Sequence, residues 1–188
     1  IKTLIEVMTG ILQDKLYIEQ LNEAISLSEK TETGKYAPFF SLSNIKGEKI
    51  TRSSEDFKKK NLLINFWASW GDSISNHQSN TELKEIYQKY KKNKHIAMLG
   101  ISLDMDKQEW QDAIKRDTLN WEQVCDFGGL NSEVAKQYAI KQVPSNILLS
   151  ADGKILAKNL KGEQLKKKIE EVVTAAEEKE KQDNKKKK

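Results

Sequence analysis

Thiols are almost absent from this chain of 188 residues: Cys125 is its single cysteine. No disulfide can form within the chain, and a cysteine-rich zinc site is excluded as well. Histidine is scarce too, with only His77 and His95. That leaves no conventional histidine-based metal site, and neither a metal nor another cofactor is expected. No stretch is apolar enough to span a bilayer, and the N-terminal residues carry no signal-peptide pattern. The chain begins at Ile1 rather than at methionine, which reads as a piece of a longer precursor. Net charge of one sign is also small, at +4, and much of it comes from lysines in residues 179–188. This argues against an extended nucleic-acid surface. What remains suits one ordinary globular domain with an appended element and solvated ends, with enough apolar residues for a stable core.

Apolar periodicity divides the chain. Leu4, Met8, Ile11, Leu12, Leu16, Leu21 and Ile25 recur at helical spacing through residues 1–30, until residues 31–34 break the pattern. This amphipathic helix is expected to pack on its own domain, the alternatives being the end of an upstream domain or a dimer contact. Residues 45–50 read as a hairpin turn, and residues 61–67 as a continuous apolar strand suited to the middle of a sheet covered on both faces. Helical spacing returns in 73–90, a second buried strand in 96–103, and a short helix in 107–116 with Trp110 and Ile114 on one face. An extended segment at 121–126, a helix at 132–138, a strand hairpin turning at Asp152-Gly153 and a last helix to about residue 178 complete the order.

Three motifs stand in this frame: Phe66-Trp67-Ala68-Ser69-Trp70, the strand end Ile101-Ser102-Leu103-Asp104, and Val143-Pro144 before the hairpin. With the entry Ala37-Pro38-Phe39-Phe40, they resemble in order and spacing the thioredoxin superfamily. The likeness is to the exported TlpA/ResA-type thiol-disulfide oxidoreductases, which share their entry segment with the AhpC/TSA-like peroxiredoxins. The resemblance covers residues 36–178. It implies an α/β fold, a thioredoxin-like three-layer sandwich around a central mixed β-sheet, preceded by the helix and linker of residues 1–35. Residues 179–188 are expected to be a charged tail too polar to fold. The resemblance also implies a bacterial cell-envelope or periplasmic location.

In that family the first motif runs on into Cys-x-x-Cys. Here it runs on into Gly71-Asp72-Ser73-Ile74, with Gly71 and Ile74 at the cysteine positions. Disulfide exchange needs one thiolate to attack and a second thiol to resolve the mixed disulfide, so no catalytic residue is expected at this place. Asp72 or Ser73 reads as an N-cap for the following helix. Where the family commonly has glutamate and then proline, this chain has His77 and Ser79, so several markers are lost together, as in a natural degenerate paralogue. Ser73 and His77 form an i, i+4 pair near Asp72, but an acid beside the serine is badly placed to orient the imidazole, and hydrolysis is disfavoured. Cys125 reads as a buried, inert small hydrophobe. Asn65 takes the place where thioredoxins proper carry an acid, as TlpA-like proteins often do.

Val143-Pro144 matches the family's cis-proline loop, whose residue before the proline offers its main chain to an extended substrate, a form of strand addition that needs no thiol. Trp67, Trp110 and Trp121 are expected in the core and Trp70 as an exposed contact. The expected binding residues are therefore Trp70, Gly71, Asp72, Ser73, Val143 and Pro144. The expected function is a redox-inactive domain that binds an extended polypeptide or partner protein. Alternatives are family-type thiol-disulfide or antioxidant activity relying on Cys125 or on partner thiols, and a purely structural domain of a larger envelope protein. Nucleic acid is not expected as a partner, and membrane or lipid anchoring upstream stays open.

Overall fold

The apolar run Asn61–Trp67 becomes strand β3, and every residue in it is buried. Leu62, Ile64 and Phe66 enter one core while Leu63 and Trp67 enter another, as alternate side chains of a doubly covered strand must. The structure is a computed structural model that describes residues 15–70 and 73–186, without the side chains at 15–16 and 73–78. Ahead of β3 lie helix α1 (Lys15–Lys30), β1 (Ser41–Asn44) and β2 (Lys49–Thr51). After it come α2 (Ser73–Tyr90), β4 (Ile96–Ser102), α3 (Lys107–Arg116), β5 (Glu122–Cys125) and a 3-10 turn (Gly129–Asn131). Helix α4 (Glu133–Gln137), β6 (Ser145–Leu149), β7 (Ile155–Lys158) and α5 (Gly162–Lys186) close the order.

The seven described strands form one mixed sheet in the order β2-β1-β5-β4-β3-β6-β7. Strands β3, β4 and β5 run parallel, and β1 and β6 flank them antiparallel. Helices α2, α3 and α5 cover one face through Leu83, Ile86, Trp110, Leu165 and Ile169. On the other face α4 supplies Val134 and Ala135, joined by Phe40 and Phe57. This is the three-layer α/β sandwich that the sequence leads one to expect.

Local chemistry explains several boundaries. Helix α3 starts where Asp106 accepts the Glu109 N–H at 2.9 Å, and it ends with Lys115 and Arg116 against the negative end of its dipole. In the β1–β2 hairpin, Asn44 Oδ1 accepts from the N–H groups of Lys46 and Glu48, while Gly47 supplies a positive φ of 83°. The segment after α1 closes the edge of β7. Gly34 N–H donates to Ile155 O at 2.8 Å, Ile155 N–H to Lys35 O at 2.8 Å, and Ala37 N–H to Gly153 O at 2.9 Å.

Of the apolar stripe expected in residues 1–30, Leu4, Met8, Ile11, Leu12 and Leu16 lie outside the described side chains, while Leu21 and Ile25 are half-buried. Just past the C-terminal end of α1, buried Thr31 accepts from Lys158 Nζ at 3.0 Å. One expectation changes. At the other terminus, α5 continues to Lys186 through the charged segment expected not to fold. Side-chain ties support it: Asn93 Nδ2 donates to Glu177 Oε1 at 3.2 Å, and Lys94 Nζ lies 2.7 Å from Glu180. Lys94 also holds the Glu180 carboxyl below its ordinary range, with His95 adding to the effect.

One cation fastens two loops. The Arg52 guanidinium donates to the carbonyl of Phe57 and, at 2.7, 3.2 and 3.0 Å, to those of Lys60, Ser150 and Ala151. It thus joins the segment entering β3 to the β6–β7 hairpin. Arg52→Met keeps the apolar stem and removes these bonds; the expected loss is about 2 kcal/mol of unfolding free energy, read from urea denaturation.

Candidate functional site

The parallel strands β3, β4 and β5 end together, with Trp67, Ser102 and Cys125 paired in one row across the sheet. Immediately beyond them the chain turns through Ser69-Trp70, Leu103-Asp104-Met105 and Asp126-Phe127-Gly128. Val143 and Pro144, joined by a cis peptide bond, come back at the same end, since Ser145 of β6 pairs with Phe66.

Asp104 is completely buried and organises this end. Its Oδ1 accepts from Ser69 N–H at 2.9 Å and from Ser69 Oγ at 2.6 Å, and its Oδ2 accepts from Ser102 Oγ at 2.6 Å. Leu103 N–H donates to Trp67 O at 2.8 Å. The turn after β3 is therefore fastened to the end of β4, and Trp70 follows the fastened residue directly. A second clamp shapes the neighbouring loop: Asp126 accepts from Gly128 N–H at 3.0 Å and from Ser132 Oγ at 2.6 Å. Gly128 is required there, because a Cβ would sit 2.8 Å from the Ser132 backbone.

Beneath the turn runs a row of neutral amides. Asn146, Asn65, Gly100 and Gln123 are paired neighbours on adjacent strands. Gln123 folds over Gly100, where a Cβ would lie 1.9 Å from its Oε1, and accepts the Trp67 indole N–H at 3.0 Å. Asn65 Nδ2 and Gln123 Nε2 are buried and find no hydrogen-bond partner among the described residues.

Cys125, remote in sequence, is brought to this end but sealed inside it. It is buried, accepts the Phe127 N–H at 3.3 Å, and lies 3.5 Å from Asp104 O. Burial is the main reason its thiol is pushed up to about 11. Near neutral pH that leaves roughly one thiolate in ten thousand.

Of the residues expected to bind, Trp70 is exposed and Val143 and Pro144 are half-buried. Pro144 borders a cleft of about 590 Å³ together with Glu82, Asn146, Leu160 and Leu165. Among the described residues Trp70 does not line that cleft, so the two share one end of the sheet without sharing one concavity. Gly71 and Asp72 lie outside the described residues. Ser73 and Ile74 begin α2, but their side chains and that of His77 are outside the description, and so are the N-cap and the serine–histidine pair.

Two residues at this end escaped sequence reasoning. Met105 is 72% exposed and Leu130 46%, beside 51% for Trp70. Met105 lies against Gly129, whose added Cβ would be 3.2 Å from the thioether. The only sequence signal was the place of Met105 directly after the strand end at Asp104.

Comparison with known proteins fits this geometry. The thioredoxin-like family model matches residues 58–155. The thiol-disulfide oxidoreductase ResA of Bacillus cereus is 32% identical over 146 residues, covering 78% of this chain and 79% of that relative. A solved C-terminal domain assigned to the thiol-disulfide oxidoreductases, from Bacteroides thetaiotaomicron, is 78% identical with a TM-score of 0.76 and covers 78% of this chain and 99% of its own. A thiol-disulfide oxidoreductase structure from Bacteroides fragilis is 59% identical with a TM-score of 0.71, covering 73% of this chain and 99% of its own.

Two outcomes are expected. Asp104→Ala strands three donors, two of them next to Trp70, and should cost about 3 kcal/mol of stability by chemical denaturation. Cys125 should resist a thiol reagent in the native protein near neutral pH. Its labelling should set in only as pH climbs toward about 11 or on unfolding, as followed by mass spectrometry.

Proposed function

The chain belongs to the thioredoxin-like family, with a ResA-type thiol-disulfide oxidoreductase among its homologues. From that premise we propose that it binds an extended, apolar polypeptide segment and does not turn over disulfides. The observation that carries this reading is the gathering of Trp70, Met105 and Leu130, all exposed, at the end of the sheet where the family does its chemistry. Large apolar side chains gathered at one end of a domain mark an interaction surface rather than random exposure. The second support is chemical. Gly71 and Ile74 hold the two cysteine positions, and the remaining thiol is buried and protonated.

In this reading Trp70 supplies a rigid aromatic contact, and Val143 offers its main chain beside Pro144 for strand-like pairing. The family resemblance also favours the bacterial cell envelope as the setting. No described helix is long and apolar enough to cross a membrane.

The competing reading is disulfide or antioxidant turnover through Cys125, which would require the sheet end to open around that side chain. Insulin reduction driven by dithiothreitol separates the two. The proposal expects no acceleration by this protein, and acceleration that disappears in Cys125→Ser would overturn it. Titration with a cysteine-free, unfolded apolar peptide should show binding that Trp70→Ala weakens roughly tenfold. If the wild-type protein shows no binding, the domain is structural only.

A further inference from the structure

A group of lysines gathers at the end of the sheet opposite Trp70. Lys58, Lys59 and Lys60 precede β3, Lys91, Lys92 and Lys94 lie between α2 and β4, and the last turns of α5 add more. Hydrogen bonds show that these segments are neighbours. Asn61 N–H donates to His95 O at 2.8 Å, and the Asn93-Lys94 turn holds Glu177 and Glu180 of α5. Helix α5 begins at the other end, where Gly162 and Pro144 border one cleft. Its 25 residues extend about 37 Å. The seven residues of β4 extend only about 23 Å, so the final turns of the helix project past the sheet.

Carboxylates share this pole, Glu55, Asp56, Glu122, Glu177, Glu178, Glu180 and Asp183 among them, but few form ion pairs with the lysines. Lys58 lies 3.4 Å from Glu55, and Lys94 pairs with Glu180. Lys59, Lys60, Lys92, Lys181, Lys185 and Lys186 make no ion pair among the described residues. From Lys179 onward the sequence sets six lysines against two carboxylates.

We propose that this lysine-rich pole docks electrostatically on an anionic lipid bilayer and thereby holds the Trp70 end away from the surface. The kind of cation argues for a lipid surface. Both arginines of the chain are engaged elsewhere, Arg52 on backbone carbonyls and Arg116 on Asp117. Recognition of a nucleic acid or of a specific acidic protein favours the planar, two-pronged guanidinium. Lysines are hydrated point charges on flexible stems, suited to a diffuse sheet of lipid phosphates. Residues 177–186 contain no apolar side chain, so the contact is adsorption without insertion.

The test is sedimentation of the whole chain with vesicles of equal parts phosphatidylcholine and phosphatidylglycerol, against vesicles of phosphatidylcholine alone. Binding is expected only to the first, and it should fade as salt shortens the screening length. Replacing Lys59, Lys92 and Lys181 together by Gln should lower the partition coefficient by roughly fivefold per lysine. Replacing Lys107, Lys141 and Lys161 at the Trp70 end removes the same charge and should change it far less. Trp70 is the exposed tryptophan, and its quenching by iodide should be the same free and vesicle-bound.

No binding, equal binding to both vesicles, equal loss in the two triple variants, or shielding of Trp70 would each overturn the proposal. So would tighter binding to a DNA duplex than to the anionic vesicles at the same salt. None of these readouts depends on what Trp70 itself binds.

Discussion

The functional end of this molecule rests on one buried carboxylate. A fully buried charge is costly unless donors surround it, and Asp104 meets three, drawn from two strand ends: the N–H and hydroxyl of Ser69 and the hydroxyl of Ser102. Moving the turn after β3 would strip those bonds from an ion that water cannot reach. Trp70 therefore projects from a turn held as firmly as the sheet itself. None of these bonds involves a thiol. A chain with Gly71 and Ile74 at the cysteine positions keeps the support of its platform intact through Trp70.

The face under the turn has settled into chemistry of its own. Asn146, Asn65, Gly100 and Gln123 form a row without a titratable side chain. Gly100 leaves the space that lets Gln123 reach the Trp67 indole. Cys125 stands two rows further on and is wrapped in backbone. Its raised pKa follows from that wrapping, and the same packing that makes it a good core residue makes it a poor nucleophile.

Much of the fold was legible because it is written in local signals. The run of β3 suited a doubly covered strand, and Trp110 and Ile114 on one face marked α3. What could not be read depends on partners distant in sequence. Asp104 looked like the polar end of a strand, and nothing nearby announces that Ser69 is its partner. The charged end of α5 has no apolar face to predict a helix; it is held by Asn93 and Lys94 from another element. The segment after helix α1 is joined to β7 through Thr31 and Lys158, a contact between residues far apart in sequence. The site divides in the same way. Trp70 was visible from its motif, whereas Met105 and Leu130 come together only once β4 and β5 are set side by side.

The two ends of the sheet differ in kind, and the topology keeps them apart. At one end strand termini present apolar side chains on turns clamped by Asp104 and Asp126; at the other, strand beginnings and helix ends present lysines. Helix α5 starts beside Pro144 and finishes among those lysines, with Leu165, Ile169 and Val173 buried along its length. The two ends are therefore parts of one rigid body, and whatever fixes the direction of one fixes the direction of the other. Under the proposed readings the domain acts by position: where its lysines settle decides which way Trp70 faces.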